Sequence, residues 1–210
     1  FFSSDNGYSM CGYMGRGNAN TNWPDDPFLK NKGPFRGGKF SALEGGVRVP
    51  FFVSSPDQFS AKTVNTPVWL IDFYATAAEI AGVNIHHRTD GFSLMPLLKG
   101  NKTTDFDMRP MYFYKNTEQA VRMGSWKAYR KSPQNNIELY LIEEDIHSER
   151  DLAKIYPEIM HQMDSIMQVE HKTHKWYRDP RESGEDYANV VKEAKRTKNL
   201  QSATPPNGLK

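Results

Sequence analysis

The chain has 210 residues, 38% hydrophobic and 25% charged, with 12 Phe, 10 Tyr and 4 Trp; this suits one domain or one and a half and excludes a chain disordered throughout. Its 27 Lys and Arg against 25 Asp and Glu leave a net charge of +2, too small to point to nucleic acid or an anionic membrane as the main partner. No run approaches the roughly 18 apolar residues of a spanning helix, and a single cysteine, Cys11, excludes an intrachain disulfide and any cysteine-rich zinc module.

The chain opens Phe1-Phe2-Ser3-Ser4-Asp5-Asn6-Gly7, an apolar pair running into a polar turn. This reads as the end of a buried strand, and a strand in that place leads us to expect a natural chain that extends upstream of Phe1. Residues 7–39 are dense in Gly and Pro, which predicts a long irregular loop of the kind that carries function. Val47 to Val53 is a short apolar run, expected as a buried strand. Thr66-Pro67 opens a helix, with Thr66 as cap and Pro67 in the first turn. Val68, Ile71, Ala75, Ala78 and Ala81 follow at helical spacing, and Gly82 is the stop. A loop through His86-His87 leads to a short helical turn around Leu94 to Leu98.

From Met111 the texture changes. Residues 111–114, 119–122, 126–130 and 139–142 are four short β-like runs split by polar or Gly turns, which predicts an antiparallel meander. A helix follows from Pro157, with Ile159, Met160, Met163, Ile166 and Met167 on one face. Residues 175–210 hold eight Lys and Arg against five Asp and Glu and few aliphatics, so a basic, loosely ordered tail is expected. The resulting division is an α/β part over 1–108, a small α+β subdomain over 109–175 and a tail over 176–210.

Two polar constellations stand out. Asp5-Asn6 lies just past a strand end, where open α/β sheets bind ligands. Its carboxylate and amide oxygens are hard donors suited to Ca²⁺ or Mg²⁺, but Ca²⁺ takes about 6–8 oxygens and two are too few. Asn-Gly is also a common turn. The stretch from Gly33 to Pro50 is more specific, with Gly37-Gly38 followed by Lys39 and Glu44-Gly45-Gly46 followed by Val47-Arg48-Val49-Pro50. Glycines let backbone approach a ligand closely, and the compact Lys39 ammonium can meet a sulfate- or phosphate-like oxyanion. Tight turns with solvated cations are the plainer reading.

In this order, Ser4-Asp5-Asn6-Gly7, Arg36-Gly37-Gly38-Lys39 and Glu44 to Pro50 resemble the C-terminal half of a formylglycine-dependent sulfatase. The likeness continues through Val68-Trp69-Leu70-Ile71-Asp72-Phe73-Tyr74-Ala75-Thr76, Asp90-Gly91-Phe92-Ser93-Leu94, Pro96 to Gly100, Ala120-Val121-Arg122, Gly124 to Lys127 and Glu138-Leu139-Tyr140, over roughly residues 3–155. The resemblance implies an α/β fold: the C-terminal part of an alkaline-phosphatase-like core, plus a small α+β subdomain with a four-stranded antiparallel sheet and a helix. It implies hydrolysis of sulfate esters, with formylglycine as nucleophile and a bound Ca²⁺. By motif, Asp5 and Asn6 would be calcium ligands and Lys39 would contact the sulfate, while Glu44 and Arg48 would pair to brace the Gly-Gly turn. The partner would be a sulfated small molecule or glycan, and an exported location is usual in the family.

The family's Cys/Ser-x-Pro/Ala-x-Arg nucleophile motif does not occur, and Cys11 lacks its Pro and Arg. The early Asp pair of the calcium site is also missing. The expectation is therefore a fragment that supplies about half a site, releases no sulfate alone and is poorly soluble or partly molten. A phosphate or phosphonate ester hydrolase of the same superfamily is one alternative. A non-catalytic glycan-binding remnant is another, with Tyr8, Tyr13, Trp23 and Phe28 stacking on sugars or packing the loop down. His86-His87 reads as solvated, and His171 with His174 lacks a third metal ligand. Asn101-Lys102-Thr103 is a glycosylation sequon, usable if the protein is secreted.

Overall fold

The computed structural model describes residues 1–8 and 33–172, except Lys102 and Asn116. Ten short elements lie in this span. β1 (Phe2–Ser3) pairs antiparallel with β2 (Phe51–Phe52), with Phe2 opposite Phe52. Between them lies α1 (Glu44–Val47), a single turn. The run Val47 to Val53, expected as one buried strand, is divided. Val47 closes α1, and only Phe51–Phe52 is strand, with Phe52 exposed. Pro50 offers no N–H to a ladder, and its carbonyl instead accepts from Ser4 N–H at 3.4 Å.

The next helix also departs from expectation. α2 runs Asp72–Ile80 and not from Thr66. Trp69 N–H donates to the Asp72 carboxylate at 2.8 Å, closing a turn just before the helix. Asp72 thus satisfies an upstream donor and also places negative charge at the positive end of the helix. The buried positions are polar, Asp72 and Thr76, while Ile71 and Ala81 are exposed and Val68, Ala75 and Ala78 only half-buried. Those two polar groups hold the loop that follows. Asp72 accepts Phe92 N–H at 2.9 Å and a two-pronged Arg109 guanidinium at 2.6 and 2.8 Å. The Thr76 hydroxyl accepts Leu94 N–H at 2.9 Å. Gly82 ends the helix at φ 65°, and α3 (Met95–Lys99) supplies the short turn expected there.

β3 (Met111–Lys115), β4 (Glu118–Met123), β5 (Trp126–Arg130) and β6 (Glu138–Leu141) form the expected antiparallel meander in chain order. The register sets Val121 opposite Tyr112 and Ala128, and Ala128 opposite Leu139. Successive side chains point to opposite faces of a sheet, so Val121, Met123, Ala128 and Leu139 share one face. α4 (Pro157–Glu170) covers it with Met163 and Met167, both fully buried, while Ile159, Met160 and Ile166 flank the contact. The i, i+4 spacing of the two methionines places them one above the other on the helix. The opposite face carries Phe113, Ala120 and Tyr129, which pack against Ala42 and Leu43 of the glycine-rich loop. The sheet is therefore covered on both sides, by a helix on one and by the loop that bears Lys39 on the other.

Candidate functional site

Two backbone segments interlock where Asp5, Asn6 and Lys39 lie. Gly7 N–H donates to Gly46 carbonyl at 2.9 Å, and Lys39 N–H donates to Tyr8 carbonyl at 2.7 Å. The Tyr8 hydroxyl donates to Gly37 carbonyl. The fit is close enough to require glycine. A Cβ on Gly7 would sit 1.8 Å from Gly45 carbonyl oxygen, and one on Gly45 would sit 2.4 Å from Gly37 carbonyl oxygen. Any other residue would force these strands of backbone apart. The sequence-predicted residues Asp5, Asn6 and Lys39 thus belong to one junction, although they stand more than thirty positions apart in the chain.

Their surroundings differ. Asp5 is exposed, and Asn6 donates from Nδ2 to Gly7 carbonyl at 2.9 Å. Lys39 is half-buried, with Nζ 5.4 Å from the centre of the Phe40 ring. Among the described residues no group of three or more His, Cys, Asp or Glu could hold a metal ion. Asp5 and Asn6 offer two oxygens, well short of a Ca²⁺ shell, so the described residues do not make a calcium site by themselves.

The loop that carries Lys39 is stapled to the meander at three points. At one end, Arg36 donates to Glu138 Oε2 at 2.9 Å, to the Tyr140 hydroxyl at 2.7 Å and to Ser148 carbonyl at 3.3 Å. A depression of about 770 Å³ lined in part by Phe35, Arg36 and His147 opens beside it. In the middle, Glu118 Oε2 accepts from the Ser41 hydroxyl and from Ala42 N–H, both at 2.9 Å. At the other end Glu44, only 5% exposed, meets Lys127 Nζ at 3.0 Å and Arg122 at 3.3 Å. Lys127 is 1% exposed and lies 4.8 Å from the centre of the Phe113 ring.

The expected Glu44–Arg48 pair is present, and the third staple adds two stronger partners to it. Glu44 and Arg48 approach only to 3.9 Å, with Arg48 half exposed, and the Arg48 guanidinium lies over the Phe35 ring at 4.6 Å. The Glu44 carboxylate also reaches across to the sheet, because helical turn α1 aims it at β4 and β5. Burial alone would push its acid strength down. Lys127 and Arg122, with Arg48 further out, outweigh burial and hold its carboxyl below the ordinary value of 4.5. The same cluster holds more positive than negative charge. Burial, helped by Arg122, pushes the Lys127 ammonium below its ordinary value against the pull of Glu44. Sequence reasoning placed Arg122 and Lys127 in strands without a role. Two cations inside otherwise apolar strands were the available signal, since buried charges are rare unless paired.

Phe40 was also missed. It sits at φ 74°, in the left-handed region, with 61% of its surface exposed. That conformation costs a non-glycine residue roughly 1–2 kcal/mol, and the exposed ring returns little burial energy. Lys115 Nζ approaches the same ring at 5.4 Å.

Other candidates stay outside this junction. His86 and His87 are exposed, and the His87 ring lies 5.9 Å from that of Tyr74. His171 Nδ1 is 3.0 Å from the Tyr112 hydroxyl. Cys11, Tyr13, Trp23, Phe28, Lys102 of the sequon, His174 and the 176–210 tail lie outside the described residues.

Comparison with known proteins shows what the segment that holds this junction is similar to. Residues 1–83 match the Sulfatase family model. N-acetylgalactosamine-6-sulfatase of Canis lupus familiaris is 31% identical over 133 residues, 61% of this chain and 23% of the relative. Steryl-sulfatase of Mus musculus is 40% identical over 111 residues, 49% of this chain and 18% of the relative. Among solved structures, Ps i-CgsB in complex with k-i-k-neocarrahexaose aligns at TM-score 0.56 and 28% identity, covering 75% of this chain and 35% of that one. A Bacteroides thetaiotaomicron protein described with the metabolism of multiple glycosaminoglycans aligns at TM-score 0.57 and 23% identity, covering 65% of this chain and 32% of that one, a likeness of fold. Residues 1–83 are therefore similar to the sulfatase family, and the mixed α/β architecture with its four-stranded antiparallel sheet and helix is consistent with an alkaline-phosphatase-like fold. The chain spans about a quarter or less of the length of these curated relatives, and no helix among the described residues is long and apolar enough to cross a membrane.

Proposed function

We propose that this chain is part of an exported enzyme that hydrolyses sulfate esters of a glycan, with Lys39 contacting the sulfate. Asp5 and Asn6 supply two of the ligands of a calcium ion, and residues outside this chain supply the others and the formylglycine nucleophile. The observation that carries the reading is the junction itself. Backbone bonds from Gly7 and Lys39 tie Asp5-Asn6 to the Lys39 loop, inside the segment that matches the sulfatase family. An ammonium and a bound cation acting together on one sulfate stabilise the charge that develops on its oxygens. The relative named N-acetylgalactosamine-6-sulfatase and the complex with k-i-k-neocarrahexaose support a sulfated sugar as substrate.

The test uses the longest natural reading frame that contains this sequence, assayed on an aryl sulfate and on a sulfated oligosaccharide. Lys39→Ala is expected to lower kcat by about 10²–10³, the usual cost of removing one oxyanion-stabilising group. Asp5→Ala is expected to raise the calcium concentration needed for half-maximal activity. The 210-residue chain alone is expected to release no sulfate. Full activity in Lys39→Ala would overturn the assignment.

A further inference from the structure

We propose that Tyr8 is a positioning residue: its hydroxyl and its backbone carbonyl together hold the turn that carries Lys39 in a fixed place relative to Asp5 and Asn6. Its role in turnover rests on the proposed sulfate contact of Lys39, and backbone exchange tests the hold separately from turnover.

The carbonyls of the turn before Lys39 each have a partner. Arg36 carbonyl accepts Gly45 N–H at 2.8 Å, and Gly38 carbonyl accepts Ser41 N–H at 3.0 Å. Both donors lie in the same glycine-rich stretch as Lys39, so they shape the turn without fixing it to Asp5 and Asn6. Gly37 carbonyl accepts the Tyr8 hydroxyl, and no other donor among the described residues reaches it. Lys39 N–H completes the grip by donating to Tyr8 carbonyl at 2.7 Å. One residue thus holds the turn at two points, with the tip of its side chain on Gly37 and its backbone on Lys39. Ser4 and Gly7 also bond across the junction, but they reach Pro50 and Gly46, beyond the turn. Tyr8 follows directly on Asp5-Asn6-Gly7, so the residue that grips the turn is joined by backbone to the two hard oxygen donors.

The turn needs such a hold. Gly37 sits at φ 81°, and a glycine freed of its bond has more conformations open to it than any other residue. Lys39 adds a flexible four-carbon stem of its own. A turn that also moved would spread the ammonium over several positions, whereas a group that stabilises developing charge acts fully only when it is already in place. Burial pushes the Tyr8 hydroxyl above its ordinary value of 10, which keeps it a donor at neutral pH.

The test uses the longest natural reading frame that contains this sequence, assayed on an aryl sulfate. Tyr8→Phe removes one oxygen and keeps the backbone bond to Lys39. It is expected to lower kcat by about 10- to 100-fold, the scale of a small misplacement, with KM within about twofold of wild type. Made in Lys39→Ala, the same substitution should cost less than about twofold, because Tyr8 acts through Lys39. Hydrogen–deuterium exchange in residues 37–42 should be at least about fivefold faster in Tyr8→Phe and unchanged in β4 and β5. The proposal is overturned if exchange in the loop is unchanged, if it rises equally in β4 and β5, or if the two substitutions multiply in their effect on kcat. A Tyr8→Phe protein as active as wild type, where Lys39→Ala is impaired, also overturns it and leaves the proposed function intact. Full activity in Lys39→Ala, or a parent protein that cleaves no sulfate ester, together with faster exchange confined to the loop, refutes the proposed function and supports the hold of Tyr8 on the turn.

Discussion

The two faces of the four-stranded sheet are sealed by different physics. The α4 face is closed by Val121, Leu139, Met163 and Met167, all fully buried. The face toward the Lys39 loop has a small apolar patch, Ala42, Leu43, Ala120 and Tyr129, ringed by Glu118, Arg122, Lys127 and Glu138. Apolar contact is non-directional, so the first face fixes that a helix lies there and tolerates small shifts. Paired charges are directional and penalise misplacement, because a buried charge without its partner is costly. The second face therefore fixes where each residue of the loop stands. A scaffold needs the first kind of contact, and a loop that must present Lys39 at one position needs the second.

Breaking the charged face should give the largest effect. Glu44→Ala strands Lys127 and Arg122 in the interior and should cost about 3–5 kcal/mol, read by urea unfolding. On the apolar face, Met163→Ala should cost about 2–5 kcal/mol through the cavity it leaves. The two faces separate in a second step. Combining Glu44→Gln with Lys127→Met should recover part of the Glu44→Ala loss, because it removes the more deeply buried of the two stranded cations while Arg122 stays without its carboxylate. No partner substitution should rescue Met163→Ala in that way.

Acid sharpens the contrast. The Glu44 carboxyl is held below its ordinary value by Lys127 and Arg122 against burial. The stability it contributes is full above the ordinary value of 4.5 and is lost as pH falls through the lower folded value. Wild type should therefore lose more stability than Glu44→Gln when taken below about pH 4.5, while Met163→Ala should track wild type. The smallest effect belongs to the exposed staple. Arg36 and Glu138 are each more than a third exposed, so Arg36→Ala should cost at most about 1 kcal/mol, and less at high salt.

The meander and α4 were legible because their signals are local. Period-two runs broken at Gly124-Ser125, and apolar residues at i, i+3 and i+4, need no knowledge of the rest of the chain. The short helix at Met95–Lys99 was legible for the same reason, with Pro96 in its first turn. α2 misled because Thr66-Pro67 is a sound start signal that Asp72 overrides by binding Trp69 N–H and Arg109. Val47 to Val53 misled because its apolar texture says nothing about the Glu44 turn that claims Val47. At the candidate site, Lys39, Asp5 and Asn6 came from motif. Their junction depends on backbone contacts between segments that share no pattern. Glu44 finds Arg122 78 positions away, and no local rule foretells such a partner.

That separation has a kinetic side. The meander closes through short turns, whereas the staples of the Lys39 loop join residues 76 to 112 positions apart. Closing long loops costs chain entropy before any contact returns it. The order of assembly is then expected to run from sheet to loop, with the Lys39 loop docking onto a platform already built. Contacts made after the rate-limiting step act on the rate of unfolding, so substitutions at Glu118 and Glu44 are expected to speed release of the Lys39 loop, and substitutions at Val121 and Met163 to slow formation of the platform.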